Sequence, residues 1–385
     1  MLELLGRSRE ELRRDCAGMG EPAYRGDQIY RALYAERNFD PARMTNLPRA
    51  FRERLARTAA ITLPAVKHKY LSRDGSVRYL FAMEGGDSRG EGSENSGKAA
   101  ARVPKRAASV EAVYMPSEGR RTICISTQAG CAVDCRFCLT AQLGLIRNLT
   151  AGEILAQVLL PLADLRTTSE GPDAGPSDKI GDQIQTNVVL MGQGEPLLNF
   201  DQVMAALGIL LDREGVGLSA KHVTLSTSGI VPGIQKLAEQ PVRPKLAISL
   251  NASSDEQRDR LMPINKKYPL EKLIEACRNY PLRNWEHLTF EYVMLGGVND
   301  TPDDARRVVR LVSSLKRVKV NLIPRNPGEL PFAESSADTI ERFRKILVDR
   351  GVPAFVRYSR GRDVMAACGQ LALQEIRDNP LAVIA

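Results

Sequence analysis

The sequence predicts an α/β protein whose main body is a partial barrel of six β/α units, preceded by a small N-terminal helical domain. From residue 121 onward, short runs rich in β-branched residues alternate with amphipathic stretches of helical period. Residues 1–60 contain only short amphipathic patterns, which are typical of helices. Six alternating units are too few for the usual closed barrel of eight. We therefore expect an open, partial barrel.

The first predicted domain, residues 1–65, consists of short helices with a basic surface. One helix follows Pro22 and another follows Pro48, since proline is favoured at the start of a helix. Residues 1–70 carry 14 lysines and arginines against 9 acidic residues. The arginines on the polar helix faces are Arg25, Arg31, Arg49, Arg52, Arg54 and Arg57. They fit either a solvated surface or contacts with nucleic-acid phosphates, and we interpret the domain as a nucleic-acid-binding module.

Residues 66–115 are predicted to be a β linker. Two strands flank a turn at Asp74-Gly75, and strand character resumes at residue 110. Between them, residues 85–109 lose the apolar pattern and are rich in Gly, Ser and Ala, with mixed charge. Such a composition buries too little apolar surface to fold, so we expect a disordered insertion there.

Residues 116–360 are predicted to form the partial barrel, with a flexible Gly- and Pro-rich insertion at residues 167–181. The barrel strands are expected at residues 121–127, 186–191, 222–228, 245–250, 288–295 and 318–323. The helices are expected at residues 151–162, 201–212, 232–238, 270–278, 302–315 and 337–349. A final strand is expected at residues 354–358, and residues 361–385 form a C-terminal tail.

The composition indicates a cytoplasmic protein without a membrane segment. The net charge of +8 is compatible with a polyanionic partner. The N-terminus lacks the basic region and the apolar run of a signal peptide. No apolar run approaches the ~20 residues that a membrane span needs. Seven cysteines in 385 residues do not make a disulfide scaffold and fit a reducing compartment.

Three cysteines, Cys131, Cys135 and Cys138, lie in the loop after the first predicted barrel strand. A structural zinc site normally uses four ligands, and so does an electron-transfer cluster, but no fourth cysteine lies close by in sequence. Three thiolates would leave one iron of a four-iron cluster open to a small ligand. Zinc, or three buried reduced thiols, remain the alternatives. The loop is expected at the C-terminal mouth of the barrel, where such barrels keep their chemistry.

The Cys-x3-Cys-x2-Cys spacing, with Phe137 before the last cysteine, resembles the signature of the radical S-adenosylmethionine (SAM) enzymes. The resemblance implies one [4Fe–4S] cluster held by these three cysteines, with SAM bound to the open iron. It also implies that the six β/α units form the partial barrel of the radical SAM fold.

Two further cysteines, Cys124 and Cys368, are ambiguous by themselves. Cys124 could be a buried strand residue, and Cys368 could be a lone exposed thiol. Cys124 lies seven residues before Cys131, and Cys368 lies in an Ala-Cys-Gly-Gln run near the C-terminus. These positions are similar to those of the radical SAM adenosine methyltransferases of ribosomal and transfer RNA.

This resemblance extends over nearly the whole chain outside the two insertions. The matching motifs are Met44-Thr45-Asn46-Leu47-Pro48, Ala129-Gly130-Cys131, Thr140-Ala141-Gln142, Arg147-Asn148-Leu149, Met191-Gly192-Gln193-Gly194-Glu195-Pro196, Thr224-Leu225-Ser226-Thr227-Ser228-Gly229, Pro263-Ile264-Asn265-Lys266-Lys267-Tyr268, Glu291-Tyr292-Val293-Met294-Leu295 and Asn321-Leu322-Ile323-Pro324.

The resemblance implies a two-stage reaction. Cys368 would take a methyl group from one SAM and become the methylcysteine intermediate, since thiolates are good nucleophiles. A radical from a second SAM would remove a hydrogen from that methyl group, and the carbon would add to adenine. Cys124 would then attack the sulfur of Cys368, forming a disulfide and releasing the RNA. Glu111 would accept the ring proton.

The same resemblance implies the residues that bind SAM. A glycine after the second strand lets the backbone approach the methionine end closely. The implied contacts are Gly194, Glu195, Ser226, Ser249, Leu250, Asn251 and Asn326. Asn251 departs from the histidine often found at this position in the family, although its amide can still form hydrogen bonds.

We therefore predict a methyltransferase that acts on carbon 2 of adenosine in 23S ribosomal RNA and in transfer RNAs. The expected partners are these RNAs and a reductant such as flavodoxin, and the protein is expected to be a monomer. The closest alternative is methylation of adenosine carbon 8, which confers antibiotic resistance and shares the same cysteines. Two other classes remain: an activase that makes a protein radical, and a non-enzymatic iron–sulfur protein that binds RNA.

Overall fold

The structure is a computed structural model that describes residues 1–83, 108–169, 184–326, 330–367 and 369–371. None of the helices in these ranges is long and apolar enough to cross a membrane.

The N-terminal domain is helical, as the sequence predicts. Its elements are β1 (Leu2–Glu3), α1 (Arg9–Gly18), α2 (Tyr24–Tyr34), α3 (Arg49–Thr58) and β2 (Ala59–Ala60). Helix α1 begins with a capping box between Ser8 and Glu11, which satisfies two backbone N–H groups at its start. The domain contacts the barrel through α2, where the Tyr30 hydroxyl donates to Asp212 over 3.0 Å.

The predicted β linker is part of the barrel sheet rather than a separate connection. Strands β3 (Ala65–Leu71), β4 (Val77–Met83) and β5 (Ala108–Ser117) pair antiparallel, and β5 pairs antiparallel with β6 (Arg120–Cys124), the first barrel strand. The predicted insertion at 85–109 is wrong at its end, because Ala108 and Ser109 pair with β4. Residues 84–107 lie outside the described residues.

The loop after β6 carries the three clustered cysteines. It contains β7 (Gln128–Gly130), the short helix α4 (Leu139–Gln142) and β8 (Leu145–Asn148). Strands β7 and β8 pair antiparallel, with a register shift between Ala129 and Gly130. The cysteines therefore lie between two paired strands that limit how far the loop can move.

Parallel strands and helices then alternate, which confirms the predicted partial barrel. The elements are α5 (Ala151–Ser169), β9 (Gln185–Leu190), α6 (Phe200–Leu211), β10 (Val223–Thr227), α7 (Val231–Ala238), β11 (Lys245–Ser249), α8 (Asp255–Leu261), α9 (Leu270–Asn279), β12 (Leu288–Gly296), α10 (Pro302–Val312), β13 (Val318–Pro324), β14 (Ala333–Glu334), α11 (Ala337–Val348) and β15 (Ala354–Val356). The strands pair in the order β15-β13-β12-β11-β10-β9-β6 and continue into β5-β4-β3.

Two predicted boundaries in this region need correction. Helix α5 continues to Ser169, so the predicted flexible insertion at 167–181 is wrong for its first three residues. Residues 170–183 lie outside the described residues. The last strand ends at Val356 rather than at residue 358.

The two faces of the barrel sheet differ in polarity. On β10, Val223 and Leu225 are fully buried toward the helices, in one continuous apolar core. Every second residue of each strand faces the barrel interior instead. Residues paired side by side across β11, β12, β13 and β15 form one row on that face, which consists of Ser249, Glu291, Asn321 and Phe355. The interior of the barrel is therefore polar, and it is open at the β15 edge.

Candidate active site at the mouth of the barrel

A cavity of about 200 Å³ lies at the C-terminal ends of the barrel strands. This is the end at which parallel α/β sheets bind ligands. Among the residues predicted to act there, those that line the cavity are Cys131, Cys135, Cys138, Gly194, Glu195, Ser226, Ser249, Asn251 and Asn326. The structure thus brings together residues from the loop after β6 and from the ends of β9, β10, β11 and β13.

The cysteine loop is held in a defined conformation by backbone hydrogen bonds. Cys138 N–H donates to the Cys135 carbonyl over 3.0 Å, and Cys131 N–H donates to the Gly144 carbonyl over 2.9 Å. Arg136 N–H donates to the Leu261 carbonyl over 2.9 Å, which ties the loop to α8. The three thiols are consequently presented to the cavity by a fixed backbone.

The chemistry of these thiols fits a metal cluster. Desolvation raises the pKa of Cys131 to about 12 and also raises the pKa of Cys135. A thiolate there needs positive charge nearby, which bound iron would supply. In the described part of the chain, no group of three or more Cys, His, Asp or Glu side chains is arranged to hold a single metal ion. In a four-iron cluster each thiolate binds a different iron, so its ligands need not converge on one point.

Gly194 and Glu195 shape the floor of the cavity in different ways. Gly194 has φ +95°, and a Cβ at this position would lie 2.5 Å from the Gln128 Cβ. Only glycine fits that conformation and that spacing. The buried Glu195 carboxylate accepts hydrogen bonds from Ser228 N–H (2.7 Å), the Ser228 hydroxyl (2.8 Å) and Leu197 N–H (3.1 Å). Although these bonds oppose it, burial raises the pKa of Glu195.

The ends of β10 and β11 supply the polar wall of the cavity. The Ser226 and Ser249 hydroxyls are 3.4 Å apart, and either can donate to the other. Asn251 adopts a left-handed conformation, φ 55°, which Asn tolerates better than most residues. Its side-chain oxygen accepts from Val293 N–H over 2.9 Å. The side chain of Leu250, by contrast, is fully buried in the apolar core and does not line the cavity.

Glu291, which the sequence places in a family motif but not among the predicted site residues, also lines the cavity. Its carboxylate accepts from the Asn321 amide over 2.9 Å, and burial raises its pKa. An acidic residue within the otherwise apolar strand β12 is the sequence signal that could have identified it. Asn326, at the end of β13, donates to the Ser359 hydroxyl over 2.9 Å.

Cys124 and Glu111 lie on one face of the sheet, beside the cavity. Cys124 is the register partner of Val113, and Glu111 lies two residues from Val113 on the same strand. The Glu111 carboxylate forms an ion pair with Arg78 of β4 at 2.6 Å, and both side chains are almost completely buried. Arg78 was not predicted, although an arginine within the apolar strand β4 is a signal in the sequence.

The C-terminal tail returns to this face of the sheet. Ala366 and Leu371 pack against Val113 and Cys124 in a small apolar cluster. The Gly369 carbonyl accepts from Leu139 N–H, next to the last clustered cysteine, over 2.8 Å. Cys368 itself lies outside the described residues. Cys16, Cys131, Cys135, Cys138 and Cys277 are free thiols.

A reciprocal pair of carboxylates anchors the start of the tail to the β3–β4 turn. Asp74 of the turn accepts from Gly361 N–H over 2.9 Å. Asp363 of the tail accepts from the Ser72 hydroxyl (2.5 Å) and from Arg73 N–H (3.0 Å). We call this arrangement the tail clamp. It fixes the chain five residues before Cys368.

Comparison with known proteins identifies the class to which this chain belongs. Residues 178–312 match the profile of the Radical SAM superfamily, and residues 2–61 match the ribosomal RNA large subunit methyltransferase N-terminal domain. A crystal structure of a radical SAM methyltransferase from Sphaerobacter thermophilus superposes with a TM-score of 0.82 at 38% identity, covering 96% of this chain and 99% of that one. The fold and the cysteine loop therefore define a radical SAM methyltransferase.

The curated relatives identify the family within this class. A probable dual-specificity RNA methyltransferase RlmN from Koribacter versatilis is 46% identical, covering 93% of this chain and 98% of its own length. The dual-specificity RNA methyltransferases RlmN from Anaeromyxobacter dehalogenans and Geobacter sulfurreducens are 44% and 42% identical, covering 95% and 96% of this chain and 90% and 92% of their own lengths. The chain belongs to the RlmN family.

Proposed function

We propose that this enzyme methylates carbon 2 of adenosine in 23S ribosomal RNA and in transfer RNAs, using SAM. The curated relatives bear the name of dual-specificity RNA methyltransferases, and they favour this activity over methylation of carbon 8. One structural observation supports the proposal above all others. The residues on either side of Cys368 contact both Cys124 and the loop of the three clustered cysteines.

The residues at the mouth would hold the two cofactors. Cys131, Cys135 and Cys138 would ligate a [4Fe–4S] cluster, and the polar wall formed by Ser226 and Ser249 would bind SAM. When both are bound and a donor such as flavodoxin has reduced the cluster, the cluster and SAM supply the methyl group and the radical that abstracts hydrogen. A reaction on ribosomal RNA would place the enzyme in the cytoplasm.

The protein side chains then perform the steps between methyl group and product. Cys368 accepts the methyl group on its sulfur and carries the carbon to the adenine ring, with which it forms a C–C bond. Glu111 accepts the proton that leaves carbon 2. Cys124 attacks the sulfur of Cys368, so that an S–S bond forms while the S–C bond to the base breaks. The electron pair of that bond stays on the carbon, which takes up a proton to complete the methyl group. The tail packing against Cys124 keeps the two sulfur-bearing segments together.

The proposed proton acceptor, Glu111, lies in a buried ion pair. A buried carboxylate without a partner would be costly, but the Arg78 guanidinium at 2.6 Å stabilises its charged form. Both groups share the sheet face that carries Cys124. The carboxylate and its guanidinium partner therefore lie beside the proposed reaction site.

Nucleoside analysis of modified RNA tests this function. The reconstituted enzyme, a 23S RNA fragment, SAM and a reductant should yield 2-methyladenosine by mass spectrometry. The Cys368→Ala variant should yield none. The Cys124→Ala variant should accumulate RNA covalently linked to protein. Cys277→Ala, which alters a core cysteine away from the site, should retain product formation. Formation of 8-methyladenosine, or full activity of Cys368→Ala, would refute the proposal.

A further inference from the structure

An exposed segment of alternating aromatic and basic residues joins the last barrel strand to the tail. It comprises residues 355–362, and we call it the rim segment. Phe355 is 47% exposed and Tyr358 is 66% exposed, although both are large aromatic side chains. Arg357, Arg360 and Arg362 are also exposed. Exposed aromatic rings interleaved with arginines are typical of surfaces that bind single-stranded nucleic acids.

The rim segment adjoins the cavity. Phe355 lies in the same register row as Ser249, Glu291 and Asn321, of which the first two line the cavity. Its ring therefore faces the barrel interior at the open β15 edge. Farther along, Ser359 accepts from Asn326, another cavity residue, over 2.9 Å. A chain bound on the rim segment would continue directly into the cavity.

The segment is held in place at both ends. β15 pairs with β13 through Phe355 and its neighbours. The tail clamp then binds Gly361 and Asp363 to the β3–β4 turn. Between these anchors, Arg360 donates to the Pro116 carbonyl. The aromatic side chains are thus presented on a backbone that needs little ordering when a ligand binds.

The arginines of the rim segment form no ion pair within the described part of the chain. Among the described residues, Arg357, Arg360 and Arg362 form no ion pair with a carboxylate. The carboxylates of Asp74 and Asp363, at the start of the tail, accept hydrogen bonds within the tail clamp. The segment is therefore free to attract an anionic chain.

The N-terminal domain differs in this respect. Three of its arginines that the sequence suggested for phosphate contact form ion pairs: Arg31 with Glu36, Arg49 with Glu53, and Arg54 with Glu21. Releasing such a cation to a phosphate would require breaking an existing pair. These three arginines are therefore already paired with carboxylates, whereas the described arginines of the rim segment are not.

We propose that the rim segment binds single-stranded RNA immediately beside the target adenosine. Bases stack on Tyr358 and Phe355, and Arg360 and Arg362 contact the phosphates between them. This inference rests on the proposed function, because it takes the substrate to be RNA. It adds a surface outside the SAM and cluster residues that positions the RNA strand for the reaction.

Direct binding measurements test this surface. The probe is a fluorescein-labelled 23S RNA stem–loop with the target adenosine in its single-stranded loop, titrated with reconstituted enzyme and followed by anisotropy. Loss of one stacked base weakens binding by roughly 5- to 150-fold. Tyr358→Ala should raise the Kd by about that factor, while Tyr358→Phe, which keeps the ring, should bind as the unmodified enzyme does. Trp285→Ala is the matched control, since Trp285 also lies near two cations but before β12, at the opposite end of the barrel.

Salt dependence tests the arginines separately. Each phosphate contact on a single strand contributes about 0.7 to the slope of log K against log salt concentration. Arg360→Gln combined with Arg362→Gln should reduce that slope by about 1 to 1.5, and Arg49→Gln in the N-terminal domain should leave it unchanged. All variants are first checked for cluster absorbance and thermal unfolding.

Three results would overturn the inference. The first is an unchanged Kd for Tyr358→Ala, or an equal loss for Trp285→Ala. The second is a slope that falls for Arg49→Gln but not for the rim double variant. The third is a rim variant with normal RNA binding but a raised half-saturating concentration of flavodoxin, which would make the segment a reductant surface. Failure of the proposed function is seen separately, as absence of methyladenosine from the unmodified enzyme.

Discussion

Weakening the tail clamp should lower the effective concentration of Cys368 at Cys124. Asp74→Ala removes the acceptor for Gly361 N–H, which lies 2.9 Å away. A hydrogen bond to a charged acceptor contributes roughly 1.5–3 kcal/mol when buried. Because Asp74 is exposed, solvent screening reduces this to about 1 kcal/mol. That free energy corresponds to about a fivefold change in an equilibrium constant.

The assay is an anaerobic titration of the holoenzyme with oxidised and reduced glutathione. After acid quenching and alkylation, mass spectrometry measures the fraction of tail peptide linked through Cys368 to Cys124. For Asp74→Ala, the ratio of oxidised to reduced glutathione at which half of the tail peptide is linked should be about fivefold higher. The matched control is Asp349→Asn, which alters an exposed ion pair with Lys345 on α11. An unchanged midpoint for Asp74→Ala would refute the reasoning, because the clamp would then not position the tail.

Three further predictions follow from the same contacts. Arg78→Met leaves the Glu111 carboxylate buried without its cation, so urea unfolding should show a loss of roughly 3–5 kcal/mol; adding Glu111→Gln should recover part of it, and strictly additive losses would contradict the pairing. Gly194→Ala forces a Cβ against Gln128 at φ +95° and should cost about 1–3 kcal/mol in thermal unfolding, whereas Gly208→Ala, with open space in α6, should be neutral or stabilising. Although burial opposes it, backbone hydrogen bonds from Gly361 and Ser76 lower the pKa of Asp74 to about 2. The stabilisation of the tail by the Asp74 carboxylate should therefore be complete above pH ~4 and be lost between pH ~4 and ~2. Proteolysis of the tail by an acid protease should increase over that interval in the unmodified protein but not in Asp74→Ala.

Local patterns made the barrel and the cysteine loop predictable. The strands of a parallel sheet are covered by other elements, so their sequences are short apolar runs that can be recognised without a structure. Each predicted barrel strand accordingly overlaps an observed strand. The loop cysteines are spaced within eight residues of sequence, so their proximity needs no long-range information. The polar residues that follow β9 and β10 could be located because each apolar run ends just before them.

Contacts between distant parts of the chain could not be predicted in this way. Arg78 and Glu111 are 33 residues apart, and their pairing depends on the register of β4 and β5 across an insertion. Asp74 and Gly361 are 287 residues apart, and only the return of the tail brings them together. The ion pairs of the N-terminal arginines depend on helix packing as well as on sequence spacing, as in the contact of Arg54 with Glu21.

The end of α5 shows a different limit. The sequence predicts a helix that ends at residue 162 and flexible chain from residue 167, yet the helix continues to Ser169. Once a helix is nucleated by its buried first turns, each further residue adds a backbone hydrogen bond at low cost. Polar residues at its end therefore extend the helix beyond the apolar stripe that identifies it.

The most direct test of the central claim follows one methyl group from protein to RNA. Enzyme is first loaded with SAM that carries a heavy-carbon methyl group, separated from free SAM, and then given unlabelled SAM, reductant and the 23S RNA fragment for a single turnover. If Cys368 carries the carbon, its peptide begins heavy, and the first 2-methyladenosine formed is heavy. A first product that contains only the light carbon, with the label retained on the protein, would contradict the account.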